Sequence, residues 1–129
     1  MRPIRTVDLQ MRFVDTDMLG HVNNAVFATY AELGRVRFFR DIGIEARTFI
    51  LARLAIDYRR QVLLSDACRI TTEPTQVGRS SIHMRQVLLA NDQVAAEIEA
   101  VLVWFDYERQ VPAPVPPDVR ALLGEPPEV

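Results

Sequence analysis

The stretch VDLQMRFVDTDMLGHVNNAVFATYAELGRVRFFRDIG, residues 7–43, decides the fold because its periodicity changes once, abruptly. Val7, Leu9, Met11 and Phe13 alternate with Asp8, Gln10 and Arg12, the period-two pattern of a half-buried strand. The alternation stops at Asp15-Thr16-Asp17-Met18-Leu19-Gly20, a loop holding two aspartates and a glycine. Asn23 and Asn24 then stand where a helix N-cap belongs. From Ala25 to about Asp41 the spacing is helical: Phe27, Tyr30, Ala31, Gly34 and Phe38 share a face, and Val26 and Leu33 widen it. Polar positions are limited to Thr29, Glu32, Arg35, Arg37, Arg40 and Asp41, so the helix is expected to be mostly enclosed. Arg37 and Arg40 fall in the last turns, where cations suit the helix dipole, and Gly43 supplies the stop.

No second long helix follows. Leu54, Ile56 and Tyr58 alternate with Ala55, Asp57 and Arg59, a strand ending near Gln61. Further strands are predicted over 67–77, with Gly78 as a break, and over 80–89. Asn91-Asp92 is a strong hairpin signal. The longest strand runs from about Val94 to Phe105, and its unbroken apolar run from Val101 suggests burial on both faces. From about Pro112 the chain is a Pro-rich tail leading into a short helix, Pro117 to Leu123, and a frayed end. The order is strand, long helix, then four antiparallel strands: one helix facing one curved sheet, an α+β layer arrangement in a single domain, 1–129.

Composition narrows the function. The chain has 129 residues, 49% hydrophobic and 25% charged, enough to build a core without metal or disulfide staples. Fifteen basic residues against seventeen acidic ones, with no long run of either sign, argue against a nucleic-acid partner. Every basic residue is Arg, which removes Schiff-base chemistry and a P-loop lysine. The lone Cys68 makes neither an internal disulfide nor a Cys-rich zinc site and reads as a small core residue. No apolar run suits a signal peptide or membrane span, so the expectation is a soluble, cytoplasmic protein.

The unusual polar residues gather at 15–25, just ahead of the helix. A helix N-terminus offers unpaired N–H groups and a positive dipole end, suited to a developing oxyanion. A carboxylate beside it can act as nucleophile or general base on an acyl group. The same residues also read as turn and capping chemistry, and Asp15, Asp17 and His21 as metal ligands, although they lack a recognised ligand spacing.

Order and motif together resemble the hotdog-fold thioesterases of the 4-hydroxybenzoyl-CoA thioesterase type. The resemblance is carried by the leading strand with Phe13, by DTDMLGHVNNA at 15–25, and by Tyr30, Glu32 and Arg35 on the helix. It continues through Tyr58, Val77-Gly78-Arg79-Ser80-Ser81 and Val103 to Asp106, covering roughly residues 5 to 123. One departure is Ser65-Asp66, where the family usually has Gly-Asp. The resemblance implies a hotdog fold: a five-stranded antiparallel sheet wrapping a long central helix. Two protomers join their sheets as a homodimer or homotetramer, with active sites at the subunit interface. It implies Asp17 as the catalytic acid and the backbone N–H near Asn24 as the group polarising the carbonyl. His21, Asn23, Asn24, Tyr58, Ser80 and Ser81 are implied as substrate-binding.

The implied activity is hydrolysis of acyl-CoA or acyl-carrier-protein thioesters to acid and thiol, a step in lipid metabolism. A thiol of pKa about 8.5 leaves without strong acid assistance, so an oriented carboxylate and a polarised carbonyl oxygen suffice. No metal and no organic cofactor is expected, coenzyme A being part of the substrate. Among resembling proteins, GHVNN at 20–24 favours medium or long aliphatic acyl groups over aromatic ones. Phe27, Tyr30, Ala31 and Gly34 could line an acyl channel or be plain core. Arg59, Arg60 and Arg79 could meet coenzyme A phosphates or lie on a solvated strand face. His83 reads as a surface or interface residue. The competing class is a non-catalytic acyl-binding or sensing module on the same fold. A hotdog dehydratase ranks below both.

Overall fold

The computed structural model describes residues 2–45 and 48–124. A short strand β1 (Arg5–Leu9) leads through a 3₁₀ turn (Phe13–Asp15) to the long helix α1 (Val26–Asp41). Strands β2 (Phe49–Tyr58), β3 (Cys68–Val77), β4 (Ser81–Ala90) and β5 (Gln93–Asp106) follow, then the two-residue β6 (Val111–Pro112) and helix α2 (Pro117–Leu122). The sheet is antiparallel in the order β1-β3-β4-β5-β2, and β6 adds a sixth, very short strand against β5. One long helix on one antiparallel sheet is the α+β hotdog layering expected, enlarged by β6.

α1 buries Phe27, Tyr30, Ala31, Gly34, Arg35, Phe38 and Phe39, a face spaced by three and four residues. It packs into two apolar clusters, one per end of the sheet. Phe27, Tyr30 and Ala31 join Ile70, Leu88 and Ile98 at the end nearer the loop. Phe38 and Phe39 join Ile82, Met84, Val115 and Leu123 at the other. Between them, Gly34 lets the helix approach the sheet so closely that an added Cβ would stand 2.9 Å from Gln86 Nε2. The β4–β5 hairpin turns at Asn91 (φ 51°) and Asp92 (φ 64°), the left-handed pair of a type I′ turn.

Several expectations are corrected. The first strand ends at Leu9, and Phe13 is 83% exposed. The chain leaves the sheet early because Asp15 closes a capping box with Arg12, whose N–H donates to Oδ2 at 3.0 Å. α1 starts at Val26, and its N-cap residue is Ala25. Asn23 caps the preceding turn instead, its Oδ1 accepting the Ala25 N–H at 2.9 Å. The helix is less enclosed than expected, for Leu33 and Val36 are exposed while Arg35 is buried. Burial costs the Arg35 guanidinium, whose pKa is held below its ordinary value by desolvation. β2 begins at Phe49 rather than Leu54, because a bulge between Leu51 and Arg53 breaks the alternation that marks a strand. In β5, Leu102 is buried but Val101 and Val103 are only half-buried, so one sheet face is partly open. The expected frayed end, 125–129, lies outside the described residues.

Candidate active site

The 15–23 segment is a small hairpin. Asn23 N–H donates to Asp15 O at 2.8 Å, Thr16 bridges Val22, and Asp17 N–H donates to His21 O at 2.7 Å. Gly20, at φ 80°, makes the return that an L side chain would strain. Asp17 Oδ1 accepts N–H bonds from Leu19 at 2.9 Å and His21 at 3.1 Å, so the loop's own backbone orients the carboxylate. Oδ2 accepts no hydrogen bond among the described residues. The turn reading of Asp17 is therefore true of one oxygen and leaves the other available.

Asp17 opens onto a cleft of about 340 Å³ whose walls include His21, Asn24, Phe27, Tyr58 and Arg60. Tyr58 reaches across from β2: its O–H donates to Asn24 O at 2.8 Å and its ring meets Phe27 at 4.9 Å between centroids. This ties the residue ahead of α1 to the sheet. From His21 to Ala28 every backbone amide but one has an acceptor. His21 uses Asp17 Oδ1, Val22 uses Val62 O, Asn23 uses Asp15 O, and Ala25 to Ala28 close the turns entering α1. The exception is Asn24, whose N–H donates to nothing among the described residues. A free amide just ahead of a helix N-terminus, beside an oriented carboxylate, can receive a carbonyl oxygen.

Of the residues expected at the site, Asp17, His21, Asn24 and Tyr58 line this one cleft. Asn23 lies beside it but not in its wall, its side chain spent on the turn. Ser80 and Ser81 are at the other end of the sheet. Tyr58 pairs with Ala96 and Ala96 with Leu88, whereas Ser81 pairs with Val103 and Val103 with Ile50. The span from Leu88 to Ser81 is roughly 23 Å at about 3.3 Å per residue. Arg59 and Arg60 both line the cleft, Arg59 being also tied to Glu97 at 2.8 Å, and Arg79 belongs to the distant turn. His83 is half-buried on β4. Phe27, Tyr30 and Ala31 are packed in the core and Gly34 lies against Gln86, Ile70 and Thr72, while Phe27 also edges the Asp17 cleft. Among the described residues, no three His, Cys, Asp or Glu side chains converge as a metal site.

One feature lay outside the reach of spacing. Asp15 is 3% exposed, and its carboxylate accepts the Tyr30 O–H at 2.8 Å and Arg12 Nη2 at 2.9 Å. The Arg12 hydrogen bond holds the Asp15 carboxyl below the usual carboxylate range, while burial pushes the Tyr30 hydroxyl well above its own. Nothing in the local pattern joins Tyr30 to a residue fifteen positions earlier.

Comparison with known proteins bears on family and fold. The family described as the thioesterase-like superfamily matches residues 11–123. A thioesterase from Thermus thermophilus, solved in complex with coenzyme A and Zn, is 39% identical. It covers 95% of this chain and 98% of its own, with a TM-score of 0.87. The acyl-acyl carrier protein thioesterase ATL2 of Arabidopsis thaliana is 29% identical over 92% of this chain and 67% of its own. The acyl-CoA thioesterase YbgC of Haemophilus influenzae is 25% identical over 88% and 89% respectively.

Proposed function

The chain belongs to the thioesterase-like superfamily, and from that premise we propose that it hydrolyses acyl-CoA or acyl-carrier-protein thioesters through Asp17. It is a thioester hydrolase, in keeping with relatives and structural neighbours named as thioesterases. The observation that carries the catalytic assignment is the pairing of Asn24's unpartnered amide with the free oxygen of Asp17 in one cleft. With the thioester oxygen on the Asn24 N–H, Asp17 Oδ2 faces the carbonyl carbon or the water attacking it. As general base it takes the water proton, the hydroxyl adds to the carbon, and negative charge collects on the oxygen at Asn24. Collapse expels the thiolate, which picks up a proton from solvent. As nucleophile, Oδ2 itself adds, collapse breaks the C–S bond and expels the thiolate, and water then hydrolyses the mixed anhydride to the acid and free Asp17. Both routes use the same two groups, and neither needs a metal or organic cofactor.

The finer reading is a medium or long aliphatic acyl chain and a site shared between two copies. Two features support the second copy. β2 is an edge strand whose one neighbour is β5, and its sequence FILARLAIDY is a mostly apolar edge that charge protects only at Arg53 and Asp57. Antiparallel pairing of two β2 edges about a twofold axis sets the Tyr58 end of one protomer beside the Phe49 end of the other. That pairing carries the second copy's Ser80–Ser81 turn toward the first copy's Asp17. The separation found within one chain is thus the arrangement a shared site requires. No helix among the described residues is long and apolar enough to cross a membrane.

Thiol release from a panel of aliphatic and benzoyl-type acyl-CoA esters tests the reading. Asp17→Asn keeps the size and both turn hydrogen bonds of Oδ1, yet loses the charge. We expect a loss of about 10²–10⁴ in rate. A folded Asp17→Asn within threefold of wild type removes Asp17 from the chemistry. Binding of acyl-CoA without thiol release converts the protein to an acyl-binding module, and preference for benzoyl esters overturns the aliphatic chain.

A further inference from the structure

The catalytic hairpin is not held by its own turns alone. Its base is Asp15, two residues before Asp17 on the same strand of the hairpin. Asp15 O receives the Asn23 N–H at 2.8 Å, joining the two hairpin strands one residue before the free Asn24 amide. The Asp15 carboxylate is almost wholly buried, and three donors converge on it: Tyr30 O–H at 2.8 Å, Arg12 Nη2 at 2.9 Å and Arg12 N–H at 3.0 Å. Tyr30 is itself 3% exposed and rooted in the second turn of α1. Arg12 is different: its side chain is 68% exposed. The buried one of the two side-chain donors is therefore Tyr30, and it comes from α1.

We infer that Tyr30 and Asp15 are positioning residues for the thioester hydrolysis, the Tyr30–Asp15 hydrogen bond setting the distance between Asp17 and the Asn24 amide. The inference rests on the catalytic reading of Asp17. Asp17 makes no hydrogen bond to α1 among the described residues; its turn contacts are to Leu19, Gly20 and His21 within the loop. Its placement relative to the helix passes through Asp15. The Asn24 carbonyl, one peptide on from its amide N–H, accepts Tyr58 O–H from the sheet at 2.8 Å and Phe27 N–H from the helix at 3.3 Å. Asp17 and Asn24 thus lie on the two bonded strands of one hairpin, and the Tyr30 hydroxyl fastens the base of that hairpin to α1. Asp15 needs no contact with substrate to matter. A misplacement of about 1 Å between reacting groups can cost about 10²-fold in rate.

The test is Tyr30→Phe, which deletes the hydroxyl and leaves the buried ring, made alone and in the Asp17→Asn background. Turnover of the best acyl-CoA substrate is followed by thiol release, and folding by thermal melt. The expected result is a folded variant with kcat lowered by about 10- to 100-fold and KM within about threefold of wild type. In the Asp17→Asn background the same change should lower the residual rate by less than about twofold, because the group being positioned is already gone. Tyr30→Phe within threefold of wild-type kcat overturns the inference. So does an undiminished loss in the Asp17→Asn background, the mark of a structural role independent of Asp17. Asp17→Asn at wild-type rate refutes the parent reading, and the positioning role with it, and is recognised without reference to Tyr30. Should Tyr30→Phe fail to fold, Asp15→Asn replaces it: it keeps the shape, removes the charge that holds the Tyr30 O–H, and should lower kcat more than KM; unchanged kcat overturns the inference.

Discussion

Gly34→Ala sets two known effects of opposite sign against each other. Alanine is favoured over glycine inside a helix by about 1 kcal/mol, so propensity alone predicts a more stable protein. The structure predicts the reverse. A Cβ on residue 34 would lie 2.9 Å from Gln86 Nε2 and 3.0 Å from both Ile70 Cγ2 and Thr72 Oγ1. None of the three can yield cheaply. Ile70 and Thr72 are buried on β3, and Gln86 is 0% exposed. Gln86 Nε2 donates to Ala31 O at 2.8 Å and Thr72 Oγ1 at 3.0 Å, while its Oε1 accepts Arg35 Nη1 at 3.1 Å. Either α1 lifts off the sheet or Gln86 gives up a buried bond. Overpacking costs about 1–3 kcal/mol, and a buried donor left unsatisfied costs about 1–3 kcal/mol more. Set against the propensity gain, the net expectation is destabilisation by about 1–5 kcal/mol. Urea unfolding of wild type and Gly34→Ala, compared at equal m-value, reads the difference directly. A variant as stable as wild type, or more so, refutes the claim that α1 is pinned to the sheet at this point.

Cys68 and the assembly give two further expectations. Burial, with a smaller contribution from Asp66, pushes the Cys68 thiol up to about 11, so the fold binds its proton more tightly than the unfolded chain does. The stability this provides is complete below the ordinary thiol pKa and is lost as pH rises through about 11. Wild type should therefore lose more stability than Cys68→Ala between pH 8 and pH 11 in parallel unfolding curves, and equal losses would defeat the assignment. At pH 8 a thiol reagent should modify Cys68 only at the rate of unfolding. Sedimentation equilibrium should report at least twice the chain mass, and a fully active monomer would remove the shared site.

Much of the architecture was legible because it depends on neighbours in the chain. The period-two and period-3.6 patterns on either side of the loop, Asn91-Asp92 at the hairpin and the prolines after β5 are local signals with local causes. The cluster of polar residues ahead of the helix was visible locally, since Asp17, His21 and Asn24 lie within one turn-and-helix segment, but their roles at a site came from the family resemblance and not from spacing. Local reading failed where a distant contact overrides the pattern. Phe13 fits the strand alternation and is nonetheless expelled, because the buried Asp15 carboxylate gathers Arg12 and Tyr30 around itself. Arg35 fits the polar stripe of a helix and is buried, because Gln86 waits for it on β4. Strand β2 hides its first five residues behind a bulge. Tertiary structure also separated Ser80 and Ser81 from Asp17 within one chain, while it placed Tyr58, expected with them, in the Asp17 cleft. Chain order carries periodicity, turn chemistry and the Asp17 loop, since these are set within a few residues. Which buried polar groups meet, which amide stays unpaired and which sheet edge stays open depend on contacts between residues far apart in the chain, and only the packed molecule determines those.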